Sequence, residues 1–363
     1  MPWNWELRDW PQFNYNQDLI IQLERQFLLG VGKASAYLKT IDSQEYHQFI
    51  IEILSREGLE SSKIEGEILD RESLQSSIKQ QFGLKKRLKA GGDKESRMAG
   101  ILVDVYESFD QPLTHEMLWQ WHSMLFQGLA SISDCGIYRT HAEPMQIVSN
   151  RFDIQRVFFE APPSSKVMEE MTAFIEWFNT SAGAGLILGR AAIGHLYFES
   201  IHPFEDGNGR IGRVLIEKIL SQGVGRPVLI AISKMLEKRK KEYYSALERC
   251  NQTLDAQHWI EFFGGVILQA HEESMSLLYF LIGKSKMLNT LSDQMNPRQT
   301  KVILRMFAEG PEGFKGGLSA ENYIQIARTT RATATRDLND LVEKGALIKS
   351  GELRHTRYQL NLI

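Results

Sequence analysis

The feature that most constrains this 363-residue chain is a twelve-residue stretch, residues 202–213, which reads HPFEDGNGRIGR. Gly207 and Gly209 can adopt backbone conformations that other residues avoid, and they let a ligand approach the main chain closely. From Arg210 onward, apolar residues recur at helical spacing and predict a helix. A glycine-bearing loop that leads into a helix offers free N–H groups and the positive end of the helix dipole. Such a loop favours bound phosphate.

The polar side chains of this stretch suit phosphate chemistry. His202 lies at its start, where an imidazole can take a proton from an incoming hydroxyl. Asp206 can supply the carboxylate that magnesium prefers alongside phosphate oxygens. Arg210 and Arg213 are three residues apart, so both can project from one face of the first helical turn. The alternative is a tight turn with capping glycines and solvated arginines, but such a turn needs neither the histidine nor both arginines.

Residues 202–210 resemble the signature of Fic-domain proteins, His-Pro-Phe-x-(Asp/Glu)-Gly-Asn-(Gly/Lys)-Arg, and match every specified position. The resemblance implies an enzyme that moves AMP from ATP, with Mg²⁺, to a Ser, Thr or Tyr hydroxyl of a protein target or of itself. It implies His202 as the general base and Asp206 as the metal ligand. The implied phosphate contacts are Gly207, Asn208, Gly209, Arg210 and Arg213. Removal of AMP, or transfer of another phosphate-containing group, would use the same residues and stays open.

A Tyr-Tyr pair follows the motif helix, with Asn251 seven residues after Tyr244. The resemblance implies that Tyr244 and Asn251 contribute to the adenosine pocket. The residues themselves leave another interpretation open, because tyrosines at this position also suit the packing of an amphipathic helix.

A second, shorter motif lies upstream, where residues 61–66 read SSKIEG. Ser61 and Glu65 are four residues apart and would share one face of a helix, which Gly66 could terminate. The segment resembles the Fic-family inhibitory motif, (Ser/Thr)-x-x-x-Glu-(Gly/Asn), in its N-terminal form. The resemblance implies that these three residues are regulatory and that Glu65 pairs with Arg213 and holds the enzyme off. A solvated helix face that ends at a glycine is the alternative.

Residues 137–160 combine β-branched and aromatic residues with polar turn residues, which predicts a β-hairpin. In Fic proteins this position holds the flap. The resemblance therefore implies that a protein substrate docks here by adding a strand to the free edge. The residues expected at this edge are Met145, Gln146, Ile147 and Val148.

Composition and charge exclude several other classes of protein. The net charge of −3 gives no overall attraction to nucleic acid or to membranes. The chain has only two cysteines, which indicates neither a disulfide framework nor a zinc site. Its first ten residues are polar and aromatic, without the apolar core that a signal peptide needs, and we expect no membrane-spanning run. We therefore expect a cytoplasmic protein that has no membrane partner.

Helical periodicity dominates the remaining sequence and predicts a mainly α fold. Together with the resemblance, it implies three parts: an N-terminal helical region with the regulatory motif (1–94), a Fic-type catalytic core with the flap (95–285) and a C-terminal winged helix-turn-helix (297–363). The last part has 11 basic and 7 acidic residues. Such domains bind DNA or serve as protein-interaction modules, and both possibilities stay open. A winged-helix DNA-binding regulator is thus the alternative to an enzyme, and assembly into a homodimer is also open.

Overall fold

The computed structural model describes residues 2–84, 94–129, 132–148, 156–183 and 185–362, and the side chain of Arg354 lies outside this description. The mainly α fold predicted from helical periodicity is confirmed for these residues. The chain divides into two compact units, residues 1–36 with 50–272 and residues 37–49 with 273–363. This division does not test the boundaries of the three predicted domains, which remain predictions. Among the described residues, no helix combines the length and apolar character needed to cross a membrane.

Helices and two short β-hairpins make up the regular structure. In chain order they are α1 (Gln17–Leu38), α2 (Ser43–Ile64), α3 (Arg71–Gln81), α4 (Lys94–Glu107), α5 (His115–Phe126), β1 (Gln146–Val148), β2 (Val157–Glu160), α6 (Ser164–Thr180), α7 (Ile187–Ile201), α8 (Asn208–Val224), α9 (Ile232–Lys238), α10 (Lys240–Cys250), α11 (Gln257–Leu291), α12 (Pro297–Ala308), α13 (Ala320–Ala327), α14 (Arg331–Glu343), β3 (Leu347–Ser350) and β4 (Arg357–Leu360).

Helices α7 and α8 lie at the centre of the first unit and are joined by the motif loop. Helix α7 is buried along almost its whole length, and its apolar residues are spread around the helix instead of along one face. Its first turn is capped by Glu24 of α1, whose carboxylate accepts hydrogen bonds from the N–H groups of Ile187 and Leu188, both at 2.9 Å. At Gly194 an added Cβ would lie 2.6 Å from the side chain of Ile219, so this glycine lets α7 and α8 approach closely.

The predicted flap is present as an antiparallel hairpin of β1 and β2. Its connecting loop, residues 149–155, lies outside the described residues. The N-terminal segment packs against β2, because the Trp3 ring contacts Phe159 edge-on with the ring centroids 5.5 Å apart. The Trp5 indole N–H also donates to the carbonyl of Glu160 at 2.7 Å. These contacts fix one strand of the hairpin to the body of the unit.

In the second unit, α12, α13 and α14 are followed by the antiparallel hairpin of β3 and β4, which is the element order predicted for residues 297–363. Asp337 of α14 lies at the centre of this unit. Its carboxylate accepts hydrogen bonds from Arg298 at 2.9 Å and from the Tyr323 hydroxyl at 3.0 Å. Arg331 and Arg336 are exposed on α14, and Arg331 pairs with Glu321 at 3.5 Å.

Candidate active site

The loop between α7 and α8 is held in shape by its own backbone and by Asn208. His202 follows the last residue of α7 in the left-handed region at φ +51°, and Gly207 precedes the first residue of α8 at φ +83°. The Asn208 amide accepts a hydrogen bond from the Phe204 N–H at 2.9 Å and donates one to the Phe204 carbonyl at 2.8 Å. The buried Asn208 side chain therefore closes the loop. Of Asn208 itself, the main chain is left to face a ligand.

Two residues that the sequence did not single out also fix this loop. Arg139 is buried, and its guanidinium donates to the carbonyl of His202 at 2.8 Å. His122 stacks on the fully buried ring of Phe204, with centroids 4.3 Å apart. Burial lowers the pKa of His122 to about 4, so its imidazole is neutral. Its two ring nitrogens bond the backbone of the loop and of Gly136. A lone histidine or arginine gives no sequence signal for such a role.

His202 is placed to act as a base. Its Nδ1 lies 3.3 Å from the carbonyl of Glu199. A hydrogen bond from Nδ1–H to this carbonyl leaves the lone pair of Nε2 available. Burial lowers the pKa of His202 to about 4, and the nearby Arg139 cation acts in the same direction. The imidazole is therefore unprotonated at neutral pH, which is the form that can accept a proton.

The regulatory and phosphate-binding residues predicted from sequence meet at the start of α8. Arg213 donates to the Glu65 carboxylate at 2.7 Å and to the hydroxyl and carbonyl of Ser61, both at 2.9 Å. A Cβ added at Gly209 would collide with the same Glu65 oxygen, so the carboxylate rests directly against the first turn of α8. Helix α2 ends at Ile64, and Gly66 turns the chain at φ +83°. The predicted Glu65–Arg213 pair is thus present.

The two carboxyl groups that face Arg213, those of Glu65 and Glu199, differ in their protonation. Burial opposes the charged form of Glu65, but the Arg213 guanidinium outweighs burial, with help from Arg210 and Lys240, and lowers the pKa of this carboxyl. Burial raises the pKa of Glu199 to about 8; Arg213 opposes this rise, and the Glu65 charge adds to it. At neutral pH, Glu65 is therefore ionised and Glu199 is protonated.

Arg210 has a carboxylate partner of its own that the sequence analysis missed. Its Nη1 lies 3.0 Å from Glu67, and its Nη2 lies 3.9 Å from Asp206. The Asp206 side chain is 59% exposed, and one of its oxygens accepts the Gly207 N–H at 2.6 Å. An exposed carboxylate beside a helix N-terminus fits a magnesium ion shared with phosphate. The position of Glu67, two residues after Glu65 across a glycine turn, is the sequence feature that could have indicated this partner of Arg210.

The residues predicted for the adenosine pocket are placed differently from each other. Tyr244 lies on α10 and is 44% exposed. The Asn251 amide donates to the carbonyl of Phe158 in β2 at 2.9 Å, so it supports the flap strand. Tyr243, next to Tyr244, is buried and shares a 2.8 Å hydrogen bond with His195. The role of Tyr244 and Asn251 in nucleotide binding stays a prediction.

The flap presents the residues predicted for substrate docking at one edge of its hairpin. In β1, Gln146 and Ile147 are exposed and Val148 is half-buried. Met145, just before β1, accepts a hydrogen bond at its carbonyl from the Ala161 N–H at 2.9 Å. Among the described residues, β1 pairs with β2 alone, so its other edge has no strand partner. An edge of this kind can pair with an extended peptide.

Two stretches of the chain match known families. Residues 112–220 match the Fic/DOC family, and residues 3–84 match a domain of unknown function, DUF4172. The Fic/DOC match includes the flap, α7 and the motif loop. The regulatory segment at residues 61–66 falls within the other match.

Individual proteins similar to this chain include protein adenylyltransferases. Protein adenylyltransferase fic-1 of Caenorhabditis elegans is 26% identical over 147 residues, which are 39% of this chain and 27% of that protein. Protein adenylyltransferase Fic of Nematostella vectensis is 32% identical over 126 residues, 34% of this chain and 28% of that protein. The matches thus span less than a third of either relative.

A solved structure extends the likeness to the whole fold. The crystal structure of a Fic family protein from Desulfovibrio desulfuricans G20 has a TM-score of 0.58 to this chain, with 21% identity and coverage of 96% of this chain and 98% of that one. At this identity the likeness concerns the fold. The complete motif, the helices that hold it and the family match agree, and residues 112–220 therefore carry a Fic domain.

Proposed function

We propose that this chain is a protein adenylyltransferase, which transfers AMP from ATP to a Ser, Thr or Tyr hydroxyl of a protein target or of itself. The observation that carries the proposal is the contact that the Glu65 carboxylate, from the turn after α2, makes with the first turn of α8. The carboxylate lies against Gly209 and is bonded by Arg213 at 2.7 Å. A site that binds this anion has the donors and the positive charge that phosphate requires.

The residues around this helix end have separate tasks in the proposed reaction. The N-terminal N–H groups of α8 face the phosphates and stabilise charge that develops during transfer. Arg210 and Arg213 bind the β- and γ-phosphates. His202 takes the proton from the target hydroxyl as its oxygen attacks the α-phosphate and pyrophosphate leaves. The neutral state of His202, caused by its burial, supports this role.

Magnesium fits beside this site through Asp206. Its carboxylate is the exposed acidic group at the start of α8, and the Gly207 N–H orients one of its oxygens at 2.6 Å. Magnesium, when bound, neutralises charge on the phosphates and on the pyrophosphate that leaves. Asp206 would hold the ion while the arginines hold the outer phosphates.

We further propose that Glu65 holds the enzyme in a restrained state. The carboxylate occupies the guanidinium that should bind the γ-phosphate, and Ser61 fixes the same arginine through two hydrogen bonds. ATP that binds without Arg213 would carry its α-phosphate out of line with the attacking hydroxyl. A small misplacement of this kind costs rate steeply. Displacement of the turn at residues 65–66 would restore the arginine to ATP.

The test is label transfer from ATP that carries ³²P on the α- or on the γ-phosphate. Wild type, Glu65→Gly, Glu65→Gly with Arg213→Ala, and Glu65→Gly with His202→Ala are compared, with self-modification as the readout. We expect α-label alone to be transferred, at a much higher rate in Glu65→Gly, and loss of transfer by about 10²- to 10⁴-fold on removal of His202. Transfer of the γ-label would indicate a kinase reaction instead. Equal rates in wild type and Glu65→Gly would refute the restraint.

A further inference from the structure

The turn after α2 delivers two carboxylates to α8. Gly66 separates Glu65 from Glu67, and the Glu67 N–H closes the turn on the carbonyl of Ser62 at 2.9 Å. Beyond this turn, Glu67 pairs with Arg210 at 3.0 Å, while Glu65 pairs with Arg213 at 2.7 Å. Both arginines of the motif are therefore engaged by one short segment, each through a different carboxylate.

Arg210 is tightly enclosed by these contacts. Its side chain is only 10% exposed, and its guanidinium lies over the ring of Phe126, 5.0 Å from the centroid. The charged groups around it are Glu67 at 3.0 Å, Asp206 at 3.9 Å and, at longer range, Glu65. Its Nε is buried and has no hydrogen-bond partner among the described residues. An unpaired donor of this kind costs free energy, and a phosphate oxygen could satisfy it.

We propose that Glu67 is a second restraint, distinct from Glu65, which occupies Arg210 and competes with the β-phosphate of a nucleoside di- or triphosphate. This inference rests on the proposed function in one respect, the assignment of Arg210 to the β-phosphate and of Arg213 to the γ-phosphate. Glu65 then restrains the terminal phosphate, whereas Glu67 weakens the binding of any nucleotide that carries a diphosphate.

ADP separates the two restraints, because it has a β-phosphate and lacks the γ-phosphate. Removing the Glu67 charge frees Arg210, and a hydrogen bond to a charged group is strong enough for an affinity gain of about tenfold. Removing the Glu65 charge frees Arg213, which ADP does not reach, and takes an anion away from the first turn of α8 beside Gly209. Any gain in ADP affinity from Glu65→Gln should therefore survive Arg210→Ala, unlike the gain from Glu67→Gln. AMP has neither outer phosphate, so its affinity should be unaffected by Glu67.

The experiment is calorimetric titration of the full chain with ADP and with AMP in the presence of Mg²⁺. Wild type is compared with Glu67→Gln, which keeps the size of the side chain, and with Glu65→Gln. The matched control is Glu72→Gln, which removes the same charge from an exposed position in the first turn of α3. We expect the Kd of ADP to fall about tenfold in Glu67→Gln and to be unchanged in Glu72→Gln.

A double-mutant cycle tests the route through Arg210. Arg210→Ala should weaken ADP binding, and Glu67→Gln should bring no gain in that background, because the arginine it frees is gone. An unchanged ADP affinity in Glu67→Gln, an equal gain in Glu72→Gln, or a gain that survives Arg210→Ala would each overturn the proposal. Label transfer is read separately. A Glu67 effect on ADP without AMP transfer refutes the proposed function alone, and AMP transfer without a Glu67 effect refutes this inference alone.

Discussion

Replacing Glu65 by glutamine should change the protonation of a second carboxyl group, Glu199, because both face the buried cation of Arg213. Glu65 pairs with this arginine at 2.7 Å. Burial raises the pKa of Glu199 to about 8, and the Glu65 charge adds to the rise, so Glu199 is neutral at pH 7. When the Glu65 charge is removed, Arg213 still favours an ionised neighbour. We expect Glu199 to ionise and to become the counter-ion of Arg213.

The magnitude follows from the burial of the pair. Loss of one partner of a buried ion pair costs about 3–5 kcal/mol when the remaining charge stays uncompensated. Here the side chain of Arg213 is 1% exposed and that of Glu65 is 31% exposed, while Ser61 keeps its two hydrogen bonds to the guanidinium. With Glu199 ionised, Glu65→Gln should lower the free energy of unfolding by about 1–2 kcal/mol at pH 7. Glu199→Gln alone should cost less, about 1 kcal/mol at most, because it replaces an uncharged group.

The double variant separates this explanation from simple loss of contacts. Without either carboxylate Arg213 loses the two carboxyl groups that act on it most strongly, so the loss should approach about 3–5 kcal/mol and exceed the sum of the single variants. Urea unfolding of the four proteins at pH 7, followed by tryptophan fluorescence, measures this coupling. Losses that add to within about 0.5 kcal/mol would show that Glu199 does not respond to Glu65.

The same pair of groups gives a sign for the pH dependence of stability. In the folded wild type Glu199 keeps its proton up to about pH 8. The unfolded chain releases this proton near pH 4. Between these values the folded state binds the extra proton, so the contribution of Glu199 makes stability fall as pH rises. The slope should be weaker in Glu65→Gln, because the pKa of Glu199 falls toward its usual value.

Three further predictions concern other groups. Burial lowers the pKa of His202 to about 4, so residual AMP transfer by the wild type, in which the neighbouring Glu199 stays protonated, should persist from pH 7 to about 5 and fall only below that; a decline centred near pH 6.5 would contradict the neutral buried base. Asp206→Asn should raise the Mg²⁺ concentration for half-maximal transfer by about tenfold or more, whereas superimposable titrations would exclude Asp206 as a ligand. Asp337→Asn, which weakens the bonds to Arg298 and Tyr323, should destabilise the second unit by about 2 kcal/mol; an unaltered thermal midpoint would show that this network contributes little.

The helical fold and the motif loop could be predicted because their signals are local. Apolar residues at helical spacing predict α7 and α8, and the glycines of the motif predict the turn between them. The spacing of Ser61 and Glu65 placed both on one helix face, and the resemblance to Fic proteins supplied Arg213 as their partner. In the structure all three meet at the start of α8.

The supporting contacts could not be predicted, because their partners are far apart in the chain. Arg139 binds the carbonyl of His202 across 63 residues, and Glu67 reaches Arg210 across 143. Helical periodicity states which face of an element is buried, but it does not state which distant segment meets that face. Asn208 shows a related limit, since a motif position implied to bind nucleotide uses its side chain to close the loop.

The contacts that hold the motif loop around His202 and the contacts of Glu65 and Glu67 come from different parts of the chain. Arg139 and Asn208 hold the loop through backbone carbonyls and N–H groups, without any contribution from the turn after α2. Glu65 and Glu67 pair with the guanidinium groups, and Glu65 also lies against the first turn of α8. Withdrawal of the turn would therefore free both arginines while His202 keeps its position. Under the proposed function, this anionic segment would control phosphate binding while the motif loop keeps its shape.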